Sequence, residues 1–273
     1  MVQPIPRSML FTPATKSSHF DAGARAGADA VILDLEDSVA PRDKTAARRL
    51  AVEHLAAAPP SPVATALRIN APATASGWQD LTALLESRTD PDFVITPKAD
   101  TAADAAPVKA LLRQADKSAR MIIIAETAAA AAYPGELCDA RIVDAVLYGA
   151  DDMCADLGAE PDAGVIRHAR NVLLLHAAAG IPVIDAPFFD LGDSEGLQAA
   201  AASAVAEGFT GKAAIHPNQI AATNAAFTPT DAQTRWATDV LAANDAGAGT
   251  VAGVMVDEAV ARRARRILSR THH

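Results

Sequence analysis

The stretch Ala30-Val31-Ile32-Leu33-Asp34-Leu35-Glu36-Asp37 sets an unbroken apolar run against three carboxylates. The apolar half reads as a short strand buried on both faces, the pattern of a parallel sheet rather than of a half-solvated one. Its acidic end is costly to bury unless a cation, a metal or hydrogen-bond donors compensate it. The same design recurs at 121–125 running into Glu126-Thr127, at 145–150 into Asp151-Asp152, and at 181–184 into Asp185. Four such endings imply one shared mouth that gathers charge. That is the layout of an active site, not of a core.

Working outward, eight short strands are predicted at 8–13, 30–35, 63–69, 93–97, 121–126, 145–148, 182–185 and 212–215. Ala- and Leu-rich stretches with helical spacing lie between them, among them 44–58, 78–87, 102–114 and 164–179. Strand and helix alternate without a linker-like composition break, and eight such units in about 250 residues match an α/β TIM (β/α)8 barrel. A doubly wound open sheet rarely uses eight strands and normally opens with a glycine-rich phosphate loop, which is missing here. Residues 1–217 are therefore read as the TIM-barrel catalytic domain. Residues 218–273 form a C-terminal helical extension and lid, part of the same domain. That extension holds the break Asp245-Ala246-Gly247-Ala248-Gly249-Thr250, then Val254-Met255-Val256-Asp257, then a basic helix over 261–270. Glycines beyond a finished barrel fit a lid or an arm onto a neighbouring subunit, with a plain surface tail as the other reading.

Bulk properties narrow the function classes. The 273-residue chain is half hydrophobic with a formal net charge of −9, a mean hydropathy of +0.12 and a pI near 5.2. It contains no apolar run of the roughly eighteen residues a membrane span needs. Its start has no charged-then-apolar signal layout. Two cysteines, Cys138 and Cys154, argue for a reducing, cytoplasmic setting without a disulfide framework. The acidic balance speaks against nucleic acid, whose phosphates need a basic face.

In a parallel barrel the working residues sit at the C-terminal strand ends. Those ends supply Thr12-Pro13, Asp34, Glu36, Asp37, Arg68, Asn70, Lys98, Glu126, Asp151, Asp152, Asp185 and His216. Oxygen donors with few histidines favour a hard cation, Mg2+ or Mn2+, over zinc. Glu126 and Asp152 are the best metal pair, because each follows an apolar strand with no cation nearby in sequence. Taken singly, each acid reads equally as a cap of the next helix. Arg68 is placed to hold a carboxylate with two hydrogen bonds, or to pair with the acids of the second strand. Lys98 has the same two readings and can also point to solvent. No Ser-His-Asp set, P-loop, GxGxxG or CxxC occurs, which removes common nucleotide-binding and serine-hydrolase readings.

These residues also carry a resemblance. Arg7-Ser8-Met9-Leu10-Phe11-Thr12-Pro13-Ala14, Leu33-Asp34-Leu35-Glu36-Asp37-Ser38-Val39, Arg68-Ile69-Asn70, Pro97-Lys98, Glu126-Thr127 and Gly149-Ala150-Asp151-Asp152 follow in order. Gly208-Phe209-Thr210-Gly211-Lys212, Ile215-His216-Pro217-Asn218-Gln219-Ile220 and Val254-Met255-Val256-Asp257 continue the set. Together they resemble the citrate lyase β-subunit (CitE-like) branch of the HpcH/HpaI aldolase superfamily. The resemblance implies Mg2+-dependent cleavage or formation of a C–C bond in a β-hydroxyacyl-CoA such as citramalyl-, malyl- or citryl-CoA. The products are an acyl-CoA and a 2-oxo acid.

By the same resemblance, Glu126 and Asp152 match the metal ligands, and Arg68 matches the arginine that binds the 2-oxo acid and steadies the enolate. Gly149, Ala150 and Asp151 fall in the turn that meets the substrate, alongside Glu126. Ile215 and His216 lie in the segment that meets the CoA adenine. Asp257 matches a carboxylate brought by a neighbouring subunit to exchange the proton, so a homo-oligomer, trimer or hexamer, is implied. Three departures accompany the match. Thr127-Ala128-Ala129-Ala130 stands where relatives place a glycine four residues after the glutamate. Lys16 is the only basic residue just after the first strand, and Glu258 follows Asp257. The weakly basic entrance motivates a second reading, the β component of a multi-subunit citrate lyase using a carrier-protein thioester. A non-catalytic binder of 2-oxo acids is a third. A class II aldolase acting on free sugars leaves the segment from Gly211-Lys212 to Ile215-His216-Pro217 unexplained.

Overall fold

The computed structural model describes residues 5–57, 61–178, 180–247 and 249–271. Outside them lie the first four residues of the expected barrel domain, the helix ends expected at Ala58 and Ala179, Ala248 of the glycine-rich break, and the last two residues. Eight parallel strands close a barrel in sequence order, with the first hydrogen-bonded to the eighth. They are β1 Ser8–Pro13, β2 Ala30–Asp34, β3 Ala64–Arg68, β4 Phe93–Thr96, β5 Arg120–Ala125, β6 Ala145–Tyr148, β7 Val183–Asp185 and β8 Gly211–Ala214. Helices intervene, including Lys44–Ala57, Ala75–Glu86, Ala106–Gln114, Gly164–Ala177 and Ser194–Glu207. Threonine or aspartate side chains start several of them: Thr74 accepts from the Gly77 N–H, Thr127 from Ala130 and Asp193 from Gly196. Such caps satisfy N–H groups that the first helical turn leaves without partners.

Side-chain parity decides what each strand end can do. Residues of one parity fill the barrel interior: Met9, Ala30, Ile32, Ala66, Phe93, Ile95, Ile122, Ile124, Ala145, Leu147, Ile184 and Ala213. Residues of the other parity, such as Leu33, Leu67, Val94 and Ile123, pack outward against the helices in a larger apolar cluster. Burying each such side chain contributes on the order of 1.5–3 kcal/mol. Continuing the inward period by two residues gives Asp34, Arg68, Glu126 and Gly149, which therefore meet at the C-terminal mouth. Asp185 has the opposite parity, which corrects its expected place in the mouth. It accepts from Lys212 Nζ at 2.7 Å and Arg170 Nη2 at 3.2 Å. Arg170 also pairs with Glu207 and stacks on Phe209, its guanidinium carbon 4.3 Å from the ring centre.

The segment beyond β8 has two parts. The helix Ile220–Phe227 packs on β1, β8 and the helix Ser194–Glu207, as part of the barrel wall. The helices Asp231–Asp245 and Glu258–Leu268 then pack on one another around Ala237, Val240, Val256, Ala264 and Ile267. An all-helical tail is not what forms. Between these helices lie two antiparallel strands, β9 Gly249–Val251 and β10 Val254–Val256. Their turn, Ala252-Gly253, has positive φ at both positions, 49° and 79°, the geometry whose twist suits a two-residue hairpin. Cys138 and Cys154 are both free thiols. Among the described residues, no helix is long and apolar enough to cross a membrane.

Asp185 is 5 % exposed and Lys212 3 %, so removing one partner leaves a buried charge. Asp185→Ala is expected to lower stability by about 3–5 kcal/mol, read as an earlier denaturant midpoint with an unchanged slope. A midpoint within error of wild type would show that the cluster is not needed.

Candidate active site

A cavity of about 560 Å³ opens at the C-terminal ends of the strands. Phe11, Pro13, Ile124, Leu147 and Phe189 give it apolar walls, while Asp34, Asp37, Arg68, Glu126, Asp151 and Asp152 line its polar side. A second cavity of about 460 Å³, beside Phe20, His54 and Asp92, holds none of these polar residues. Deep apolar walls with a few convergent polar groups are the usual form of a small-molecule site.

The polar side is built on Arg68. Asp34 and Arg68 are direct partners in the β2–β3 register. Arg68 Nε and Nη2 donate to Asp34 Oδ1 and Oδ2 at 2.6 and 2.7 Å. Asp34 also accepts from the Glu36 N–H at 2.9 Å and from the Ser38 side chain. Burial alone would raise the Asp34 pKa, but the Arg68 hydrogen bonds and charge outweigh it and hold the carboxyl below its usual range. Burial likewise acts to lower the Arg68 pKa, and the Asp34 hydrogen bond and nearby acids reverse the effect. Arg68 Nη1 lies 2.9 Å from Glu36 Oε2, an ion pair without hydrogen-bond alignment. Of the two sequence readings of Arg68, the structure shows the pairing with second-strand acids; Arg68 also lines the cavity.

Lys98 does not point freely to solvent. Its Nζ donates to Glu36 Oε1 at 2.9 Å and lies 3.5 Å from Asp152 Oδ1. Its backbone N–H donates to Glu126 Oε1 at 2.7 Å. Sequence reasoning underrated this residue, because its contacts depend on a left-handed backbone, φ 53°, which no lysine announces. Asn70 is a correction of another kind. Its amide donates to Leu35 O and Asp80 Oδ2, and its Oδ1 accepts from Lys44 Nζ at 2.7 Å. Lys44 Nζ also donates to Leu35 O and Glu36 O. Asn70 and Lys44 thus anchor the acidic loop from behind instead of facing the cavity.

Glu126 is 2 % exposed and does not cap the following helix, a task taken by Thr127. Burial pushes its pKa up to about 8; the Lys98 N–H partly offsets this and the charge of Asp152 adds to it. Gly149 presses against this carboxyl: a Cβ there would lie 2.6 Å from Glu126 Cβ and 2.8 Å from Oε2. Gly149 is the N-cap of the helix Ala150–Leu157, whose first turn holds Asp151 and Asp152. Burial, then Asp152, raises the Asp151 pKa. The mouth gathers, among the described residues, Asp34, Glu36, Asp37, Glu126, Asp151 and Asp152 against Arg68 and Lys98. This excess, with Glu126 and Asp152 both lining the cavity and Glu126 buried, fits a divalent oxygen-loving cation held by those two residues. Among the described residues, no group of three or more His, Cys, Asp or Glu is placed to hold a metal. Two carboxylates with water and substrate oxygens completing the shell is a common Mg2+ arrangement.

Ile215 lines the cavity. His216 caps the short turn Pro217–Gln219, its Nδ1 accepting from the Asn218 N–H at 3.2 Å. Asp257 is not among the cavity residues. Its exposed carboxylate caps the helix Glu258–Leu268 through the Val260 N–H at 2.8 Å. Thr12 has outward parity, whereas Pro13 reaches the cavity.

Because the folded pKa of Asp34 lies below its ordinary value, its stabilisation is present above about pH 4 and is lost as pH falls through the folded value. Denaturation of wild type from pH 6 to 3 should show this acid loss. Asp34→Asn should be less stable at pH 6 and lose less on acidification; parallel curves would remove Asp34 as the cause.

Comparison with known proteins gives a consistent picture. The family model described as HpcH/HpaI aldolase/citrate lyase matches residues 7–217. A citrate lyase subunit beta-like protein of Mycobacterium tuberculosis is 38% identical over 271 residues, covering 96% of this chain and 94% of the relative. An L-malyl-CoA/beta-methylmalyl-CoA lyase of Rhodobacter capsulatus is 33% identical over 297 residues, covering 96% and 93%. The M. tuberculosis CitE structure, solved with magnesium, acetoacetate and coenzyme A, aligns with a TM-score of 0.82. Its sequence is 35% identical and the alignment covers 100% of both chains. On the matched span and these near full-length relatives, the chain belongs to the HpcH/HpaI aldolase/citrate lyase family.

Proposed function

We propose that this chain is a Mg2+-dependent carbon–carbon lyase that cleaves, or forms, a β-hydroxyacyl thioester, giving an acyl thioester and a 2-oxo acid. The observation that carries this reading is the convergence of Arg68, Glu126 and Asp152 on one cavity with an excess of carboxylates. Glu126 and Asp152 would hold Mg2+, which supplies Lewis acidity toward the 2-oxo group when bound. Arg68, kept charged and oriented by Asp34, offers a fixed positive charge to the oxygen on which an enolate develops. The first turn of the helix Ala150–Leu157 offers the backbone N–H groups of Ala150 and Asp151 to the carboxylate of the 2-oxo acid, while Gly149, whose own N–H is donated to Ala125 O, leaves room beside Glu126. The apolar walls exclude water from the enolate. Ile215 and His216 flank the side from which the CoA portion enters.

A proton must still reach the enolate carbon during cleavage. Asp257, outside the cavity of its own chain, fits the reading in which a neighbouring copy delivers this carboxylate. Exposed Val254 and Met255 beside it give the hairpin an apolar surface to bury against that neighbour. The reading thus requires a homo-oligomer. The carrier-protein alternative keeps one supporting observation, a β1 exit whose only basic residue is Lys16.

The test is release of acetyl-CoA from citramalyl-, malyl- and citryl-CoA with Mg2+ or EDTA. Metal-dependent cleavage by the isolated homo-oligomer is expected; no cleavage of any would favour the carrier-protein reading. Arg68→Ala should lose roughly 10²–10³-fold in kcat, the scale of removing an oxyanion donor. Asp257→Ala should lose roughly 10²–10⁴-fold, as for a general acid. Mixed oligomers of Asp257→Ala and Glu126→Gln should regain activity, and failure to do so would argue against delivery by a neighbour. Mg2+ at a hundredfold excess over its Kd should stabilise the wild type by about 2.7 kcal/mol and leave Glu126→Gln unmoved. Equal stabilisation of both would remove Glu126 as a ligand.

A further inference from the structure

Lys98 holds a backbone state that a side chain with a Cβ rarely adopts, φ 53°. Strain of this kind persists only where surrounding contacts over-determine it. Here the contacts are specific. The turned backbone aims the Lys98 N–H at Glu126 Oε1, 2.7 Å away. The same residue sends its ammonium to Glu36 Oε1 at 2.9 Å, to Asp152 Oδ1 at 3.5 Å and to Asp37 Oδ2 at 3.6 Å. One lysine therefore links carboxylates that follow β2, β5 and β6.

We propose that Lys98 is a positioning residue that sets metal affinity against the alignment of Arg68. Its ammonium opposes a divalent cation at Asp152 while it holds Glu36 beside the guanidinium. The inference rests on the reading of Glu126 and Asp152 as the metal pair. A unit positive charge beside Asp152 weakens that carboxylate as a ligand, because like charges at a few ångströms repel. The compensating gain lies at Glu36, whose two oxygens face Lys98 and Arg68, each at 2.9 Å. With the ammonium gone, Glu36 is drawn to Arg68 alone. The guanidinium, already clamped on its other side by Asp34, is then pulled from the position in which it serves the substrate.

Two substitutions separate these effects. Lys98→Met keeps the N–H that serves Glu126 and removes the charge; Lys98→Arg keeps the charge. Mg2+ binding to EDTA-stripped, dialysed protein is measured by titration calorimetry, and lyase turnover at saturating Mg2+. Lys98→Met is expected to bind Mg2+ at least roughly fivefold tighter, the scale of two unit charges about 4 Å apart screened as in bulk water. Its kcat should fall roughly tenfold or more, as when a supporting partner of a site residue is removed. Lys98→Arg should restore wild-type Mg2+ affinity. Weaker or unchanged Mg2+ binding by Lys98→Met overturns the inference, because a purely structural lysine lowers affinity and turnover together or changes neither. If wild type binds no Mg2+, or Glu126→Gln binds it equally well, the metal-pair reading itself falls. If Glu126→Gln loses binding and Lys98→Met behaves as wild type, only the role of Lys98 falls.

Discussion

Asp34 and Arg68 face one another because β2 and β3 run parallel in a register that makes them direct partners, and both point inward by parity. Their two hydrogen bonds, 2.6 and 2.7 Å, lie where water is largely excluded. In such a place each charge depends on the other. Desolvation consumes most of the Coulombic gain, yet removing either partner leaves an uncompensated charge. The pair therefore adds orientation more than net stability. With Nε and Nη2 on one edge of the guanidinium fixed by Asp34, its remaining nitrogen meets Glu36, and Glu36 in turn meets Lys98. The polar side of the cavity descends from one strand register.

The barrel was legible because its strands are short apolar runs separated by helical spacing, and the observed ends fall within two residues of the predicted ones. The mouth acids were legible for a related reason: a carboxylate directly after an apolar run has to be explained by something it meets. Asp185 shows where that logic stops. Strands of a barrel are apolar on both faces, so alternation of hydrophobicity does not separate interior from exterior, and Asp185 looks like Glu126 until parity is known. Asn70 fails for a different reason: it shares the inward parity of Arg68, but its amide is consumed by Asp80 and Leu35. Lys98 was underrated and the β9–β10 hairpin missed because each depends on positive φ at a residue other than glycine, at Lys98 and Ala252. Propensity gives no sign of such states. Asp257 was named by the family resemblance alone; it lies outside the cavity of its own chain and caps the helix Glu258–Leu268.

Two ion clusters in this fold use the same kinds of side chain to opposite ends. Outside the barrel, Asp185 and Glu207 are matched by Arg170 and Lys212. The Arg170 guanidinium also has a ring face to rest on, that of Phe209. Charge is balanced there, and such a cluster ties β7 and β8 to the outer helices without inviting a ligand. At the mouth, Arg68 and Lys98 face six carboxylates across an open cavity. One of these, Glu126, is so poorly solvated that its pKa rises to about 8. A balanced cluster is complete in itself, whereas an unbalanced one acquires its best energy only when a cation and an oxygen-bearing substrate arrive. The difference between them, more than the presence of acids as such, is what makes the C-terminal mouth the candidate site.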